Sequence, residues 1–178
     1  MAVDNAEAIK WYTLGAEAGD RYAQYLLGRR YLMGDIVPAD TSLAIKWLSR
    51  SGENGYASAW CQLGVSYTTG KYLPRNYQKA FAYYYRAAQM GDDYSFYALA
   101  DCYRRGRGCE KNDTLAFQWY GRAMEQGYIH AAKNLGDCYY YGRGVEKNID
   151  KAIKFYRMAA EKGNRGAIAA LSRLGVEI

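Results

Sequence analysis

Trp60-Cys61-Gln62-Leu63-Gly64-Val65-Ser66-Tyr67 decides the fold, because its framework returns at a fixed interval along the chain. Leu27 and Gly28 stand 36 residues before Leu63 and Gly64, and Leu99 and Ala100, Leu135 and Gly136, and Leu171 and Ser172 follow at the same step. Tyr31, Tyr67, Tyr103 and Tyr139 keep that step, as do Gly19, Gly55, Gly91, Gly127 and Gly163. Gly34, Gly70, Gly106 and Gly142 close the first half of each unit. A constant period of this length marks a repeat array, in which each unit buries its apolar face only by stacking on its neighbours.

The second half of each unit is equally regular. Asp4, Asp40, Asn76, Asn112 and Asn148 open it, Ala8, Ala44, Ala80, Ala116 and Ala152 follow, and an aromatic comes next at Trp11, Trp47, Tyr83, Trp119 and Phe155. Ala80, Tyr83, Tyr84, Ala87 and Ala88 fall on one stripe of a helix. An Asp or Asn at the start is a preferred N-cap, since its side-chain oxygen accepts from a free N–H of the first turn, and glycine after each helix permits the left-handed stop. No stretch alternates apolar and polar residues as a strand would. The expected fold is therefore all-α, an α/α right-handed superhelical solenoid of 36-residue helix-turn-helix repeats. Ala23, Ala59, Ser95, Ala131 and Ala167 on first helices are expected to face Ala44, Ala80, Ala116 and Ala152 on second helices.

With no register gap, 1–178 reads as a single repeat domain: a half-repeat 1–19, repeats 19–54, 55–90, 91–126 and 127–162, and a half-repeat 163–178. A lone second helix around Asp4 to Ala18 opens the chain and a lone first helix around Asn164 to Leu174 closes it. Such half-units fit caps and equally an excerpt from a longer array.

Trp60-Cys61-Gln62-Leu63-Gly64-Val65-Ser66-Tyr67 fits the W-x2-L-G-x2-Y signature of tetratricopeptide repeats. The two extra residues per unit, and the set Leu135, Gly136, Tyr139, Gly142, Gly144, Val145, Asn148, Lys151, Ala152 and Gly163, resemble the Sel1-like repeat, whose longer inter-helix loop carries a G-x-G turn. The resemblance spans essentially the whole chain. It departs from the pattern at Ala100 and Ser172, and at Asp35-Ile36-Val37-Pro38, which stands where another unit has G-x-G. What the resemblance implies is a tetratricopeptide-like fold and an adaptor role in signalling, secretion or quality-control assemblies, or a bacterial immunity or chaperone-like protein that sequesters a toxin or effector.

Catalytic chemistry finds little support. His130 is the single histidine, so no paired imidazole is available for zinc or for acid–base work. Cys61, Cys102, Cys109 and Cys138 form no C-x-x-C pair, and Cys102 and Cys138 occupy equivalent positions on helices about 8–10 Å apart, too far for a disulfide; free thiols are expected. Gly106-Arg107-Gly108 and Gly142-Arg143-Gly144 follow helices rather than strands and lack the third glycine of a dinucleotide loop, so they read as turns. No S-x-x-K set suggests lactam chemistry. Neither a cofactor nor a metal is expected.

The charge, 24 Lys plus Arg against 18 Asp plus Glu, gives net +6, which favours an acidic protein or peptide partner without reaching the level of a nucleic-acid protein. An RNA-binding helical repeat is the weaker alternative. No apolar run suits a membrane span. Unpaired cysteines and the lack of an export signal point to the cytoplasm, or to the periplasm or secretory route if an upstream signal was removed. The chain is expected as a monomer, or as a weak homo-oligomer through open repeat ends.

In tetratricopeptide-like arrays the first helices line the concave surface, so function is sought at their variable positions. Counted from the Leu-Gly pair, these are Tyr25 and Arg29, Cys61 and Val65, Tyr97 and Asp101, Lys133 and Asp137, and Ala169 and Arg173. One turn on come Leu32 and Met33, Thr68 and Thr69, Arg104 and Arg105, and Tyr140 and Tyr141. Tyrosine and arginine most often dominate binding energy. The candidate partner-binding residues are therefore Tyr25, Arg29, Tyr97, Asp101, Arg104, Arg105, Lys133, Asp137, Tyr140 and Tyr141. The recurring Tyr31, Tyr67, Tyr103 and Tyr139 are assigned to the core.

Overall fold

A computed structural model describes residues 5–177, and their regular structure is entirely helical. The helices gather into two compact units that divide between Asp92 and Asp93. The first holds α1 (Asn5–Glu17), α2 (Arg21–Met33), α3 (Thr41–Glu53), α4 (Ala57–Thr69) and α5 (Tyr77–Gln89). The second holds α6 (Asp93–Arg105), α7 (Asp113–Glu125), a single 3₁₀ turn (Ile129–Ala131) leading into α8 (Ala132–Tyr141), then α9 (Ile149–Glu161) and α10 (Arg165–Arg173).

The expected caps are in place. Asp40, Asn76, Asn112 and Asn148 each accept from the N–H three residues on, at 2.8 or 2.9 Å. Each such bond stabilises its helix by about 1 kcal/mol. The expected cap at Asp4 lies outside the described residues. Gly34, Gly70 and Gly142 end α2, α4 and α8 in the left-handed region.

The closest approaches within a hairpin are made by the glycine of the Leu-Gly pair. A Cβ on Gly64 would stand 2.6 Å from the Tyr84 ring, one on Gly136 2.6 Å from the Tyr156 ring, and one on Gly28 2.8 Å from Leu48. Glycine here leaves room for a large side chain of the second helix to cross its partner's backbone. The result is a buried row at equivalent positions: Leu48 and Tyr84 in the first unit, Tyr120 and Tyr156 in the second. One of the small first-helix residues also makes a close approach to the preceding helix. Ala23, expected against Ala44, is met by Gly15 of the preceding second helix, whose added Cβ would stand 2.9 Å from the Ala23 Cβ.

The G-x-G turn has an equally direct cause. Gly144 has φ 71° and its Cβ would lie 2.0 Å from the Asp113 carbonyl oxygen, so the loop rests on the opening of α7 with no space for a side chain. Of the tyrosines assigned to the core, only Tyr67 is buried; Tyr31, Tyr103 and Tyr139 are half-buried. Their rings are large enough to cover the core from its edge, as where Tyr139 stacks on Phe155 at 5.7 Å. Among the described residues no helix is long and apolar enough to cross a membrane.

Candidate functional site

In the second unit, α6 and α8 present the charged and aromatic positions expected from the sequence. Asp101 accepts from Arg104 one turn on and from Arg105 at 2.9 Å. Lys133 donates to Asp137 one turn on. Spacings of three and four residues bring such pairs together on one helical face. Asp101, Arg104, Lys133 and Asp137 are all half-buried, so these pairs are screened less than fully solvated ones.

What holds the charges in place was not read from the sequence. Tyr156, 2% exposed, donates its hydroxyl to the Asp137 carboxylate at 2.9 Å. Tyr120, fully buried, takes a hydrogen bond on its hydroxyl from Arg104 Nε at 3.2 Å. Each phenol starts on a second helix, crosses the gap left by the small residue of the Leu-Gly or Leu-Ala pair, and delivers its oxygen to the charged residues of the first helix. Burial, followed by the nearby Asp101 or Asp137 charge, pushes both phenols well above their ordinary pKa. Burial opposes the Arg104 charge, yet its hydrogen bonds with Asp101 and Tyr120 prevail and hold the guanidinium protonated. A signal for these two residues existed: Tyr84, Tyr120 and Tyr156 recur in frame, each four residues after the invariant-step alanine.

Tyr97 stands apart from the ion pairs. Its ring packs at 5.2 Å from Tyr128 and 5.7 Å from Tyr120, and Tyr94 completes an aromatic cluster at 6.2 and 5.9 Å from Tyr97 and Tyr128. Tyr140 and Tyr141 meet edge to face at 4.8 Å. They wall a pocket of about 230 Å³ between α8 and α10, whose opposite side is made by Gly166, Ala169, Ala170 and Arg173. A wider, shallow groove of about 650 Å³ lies over α7 and α9, floored by Leu135 and Tyr139.

The first unit repeats the aromatic cluster with different charges. Tyr22, Tyr25 and Tyr56 lie 4.9 to 6.3 Å apart. The Arg29 guanidinium sits 5.5 Å over the Tyr25 ring, and Arg21 donates to the Gly55 carbonyl at 3.2 Å. Of the other expected surface positions, Cys61 and Val65 are half-buried, while Leu32 is 3% exposed and belongs to the core. An apolar side chain at that position folds down onto its own unit, where the equivalent Arg104 and Tyr140 keep polar atoms at the surface.

His130 is exposed beside the Tyr128 ring at 5.2 Å. All four cysteines are free thiols; burial pushes Cys102 up to about 12 and Cys138 up to about 11, which makes both poor nucleophiles. Among the described residues no cluster of His, Cys, Asp and Glu could hold a metal ion.

Comparison with known proteins places this geometry. The Sel1 repeat family matches residues 1–20, 21–56, 57–92, 96–128 and 129–164. No curated protein matches the chain. Among solved structures, c5321, a protective antigen present in uropathogenic Escherichia coli strains displaying an SLR fold, is 30% identical with a TM-score of 0.86 over 94% of this chain. The chain spans only 37% of that antigen's length. A Sel1 repeat protein from Oxalobacter formigenes is 33% identical with a TM-score of 0.81, over 96% of this chain and 70% of the other. The immunity protein Pa5087 from Pseudomonas aeruginosa is 23% identical, with a TM-score of 0.53 over 89% of this chain and 59% of its own, and shows likeness of fold alone. The chain belongs to the Sel1 repeat family, and its fold is that of a helical-repeat solenoid.

Proposed function

We propose that the chain is a non-enzymatic protein-interaction module whose first-helix face in the second unit takes a peptide or a folded protein partner. That face centres on Tyr97, Asp101, Arg104, Lys133, Asp137 and Tyr140, with Arg105 and Tyr141 at its edge. Tyr25 and Arg29 offer a separate contact surface on the first unit.

The observation that carries this reading is the fixing of half-buried charges by buried phenols: Tyr156 on Asp137, and Tyr120 on Arg104. A buried hydroxyl needs some partner, and the neutral Thr68 suffices for Tyr84; at Tyr120 and Tyr156 the partner is instead a charged residue of the first-helix face. Charges held in place before a partner arrives lose less conformational freedom on binding, and such preorganisation raises affinity. The neighbouring tyrosines supply broad contact area at small entropic cost. Membership of the Sel1 repeat family supports protein binding as the class of activity.

The test is affinity capture from an extract of the source cells, comparing the intact chain with the Tyr97→Ala, Arg104→Ala double variant. Thermal melting of both checks the fold. A protein retained by the intact chain and lost from a folded double variant is the expected outcome. Equal retention by both would refute the placement and move attention to the shallow groove over α7 and α9. An immunity-like or chaperone-like sequestering role uses the same face and differs in strength, since a neutralising protein must hold its target far more tightly than a signalling adaptor does.

A further inference from the structure

The pocket between α8 and α10 has a composition that specifies more than a protein partner. On the α10 side the lining is Gly166, Ala169, Ala170, Arg173 and Leu174, so only the C-terminal end of this wall carries large side chains. The facing wall is aromatic, from Tyr140, Tyr141 and Tyr156. A cavity of about 230 Å³ walled this way accepts one side chain from a partner. Apolar lining with a few convergent polar groups is the usual make-up of a binding pocket.

Charge decides which side chain. Asp137 is the one carboxylate on the lining, and it is already engaged by the Lys133 ammonium and the Tyr156 hydroxyl. Opposite it stands Arg173, exposed on α10, whose Nε donates to its own helix at the Ala169 carbonyl, 3.2 Å away. No carboxylate among the described residues pairs with Arg173, and its two terminal nitrogens can donate in parallel to an incoming carboxylate. Behind the aromatic wall, Arg143 lies 4.5 Å over the Tyr141 ring and Lys147 6.0 Å over Tyr140. Two cations, Lys133 and Arg173, thus line a pocket whose one described acid is already engaged, and two more stand against its aromatic wall.

We infer that this pocket anchors a glutamate or aspartate side chain of the protein partner, with Arg173 as the residue that selects the carboxylate. The methylene stem lies against the aromatic wall of Tyr140 and Tyr141, and the carboxylate meets the Arg173 guanidinium. A bare inorganic anion would leave those rings without a contact. The inference rests on the protein-binding reading above and adds the chemistry of the anchor.

Fluorescence polarisation with two peptide pools tests it, each randomised around a fixed central residue: glutamate in one, its uncharged isostere glutamine in the other. The intact chain should bind the glutamate pool about tenfold or more tightly, the effect of a hydrogen-bonded charge pair. Arg173→Gln should erase that preference while leaving the melting temperature unchanged, because Arg173 is exposed. Arg173→Lys should keep part of it. The Tyr97→Ala, Arg104→Ala variant should weaken both pools and preserve their ratio. Equal affinity for the two pools, a preference that persists in Arg173→Gln, or no binding of either pool at millimolar peptide would each overturn the inference. So would single-stranded RNA displacing the peptides with a steep salt dependence, which marks a phosphate ligand. If cellular capture fails in the Tyr97→Ala, Arg104→Ala variant but survives Arg173→Gln, the protein-binding reading stands and the carboxylate anchor falls.

Discussion

Two repeats apart along the chain, the same three tyrosines build the same cluster: Tyr22, Tyr25 and Tyr56 in the first unit, Tyr94, Tyr97 and Tyr128 in the second. Their electrostatic setting is reversed. Arg21 and Arg29 flank the first cluster where Asp93 and Asp101 flank the second. The buried row differs in the same way. Val65 stands where Asp137 does, so the Tyr84 hydroxyl pairs with Thr68 at 3.1 Å, while Tyr156 reaches a carboxylate. The comparison teaches that this scaffold repeats its rings and varies its charges. Packing constrains the first through shape, whereas half-exposed charges lie outside that constraint.

The largest expected effect tests whether the loops are as unlike as the charges. Gly144→Ala, at a left-handed position against the Asp113 carbonyl, should cost roughly 3 kcal/mol, the sum of left-handed strain and overpacking. The equivalent residue of the first unit is Tyr72, half-buried and with no left-handed backbone. Tyr72→Ala should cost about 1 kcal/mol or less. Urea denaturation of the two variants measures the difference, and equal losses would mean that the two loops bear on their units alike.

A smaller contrast concerns the phenols. Tyr156→Phe removes a hydrogen bond to a charged group and should destabilise by about 2 kcal/mol, against about 1 kcal/mol for Tyr84→Phe, whose partner is a neutral hydroxyl. Combining Tyr156→Phe with Asp137→Asn should give less than the sum of the single losses, since both act on one bond. Strict additivity would show that the phenol does not hold the carboxylate.

A third contrast comes from pH. Tyr120, Tyr156, Cys102 and Cys138 all have folded pKa values raised above their ordinary ones, first of all by burial. A raised group contributes stability that is complete below its unfolded pKa and is lost as pH climbs toward the folded one. For the thiols that window of loss runs from 9.0 to about 12 for Cys102 and to about 11 for Cys138; the contribution of the phenols begins to be lost above 10.0. Hydrogen exchange followed peptide by peptide should therefore show the second unit losing protection as pH rises through this range, ahead of the first. Simultaneous loss would remove the electrostatic distinction between the units.

Much of this was legible in the chain alone. The fixed 36-residue step, the Asn caps and the glycine stops are local requirements, each met by residues within a turn or two of the place where they act. The ten candidate binding residues were chosen by counting from the Leu-Gly pair, because helical geometry fixes which positions share a face. Leu32 was misplaced by that counting, since the direction of an individual side chain depends on the space its neighbours leave. Tyr120 and Tyr156 were not singled out, because nothing local says where a hydroxyl at the far end of a phenol ring will end.

The sequence by itself determined the period, the helices, their caps and the family to which the chain belongs, because those depend on spacing and on contacts close along the chain. Tertiary structure decided which tyrosines steady which charges, that α10's small residues leave a pocket beside Tyr140 and Tyr141, and that Arg173 faces it with no acid partner among the described residues. Those depend on side chains from different helices meeting across a hairpin, and on the volume left between them, which no spacing along one chain can report.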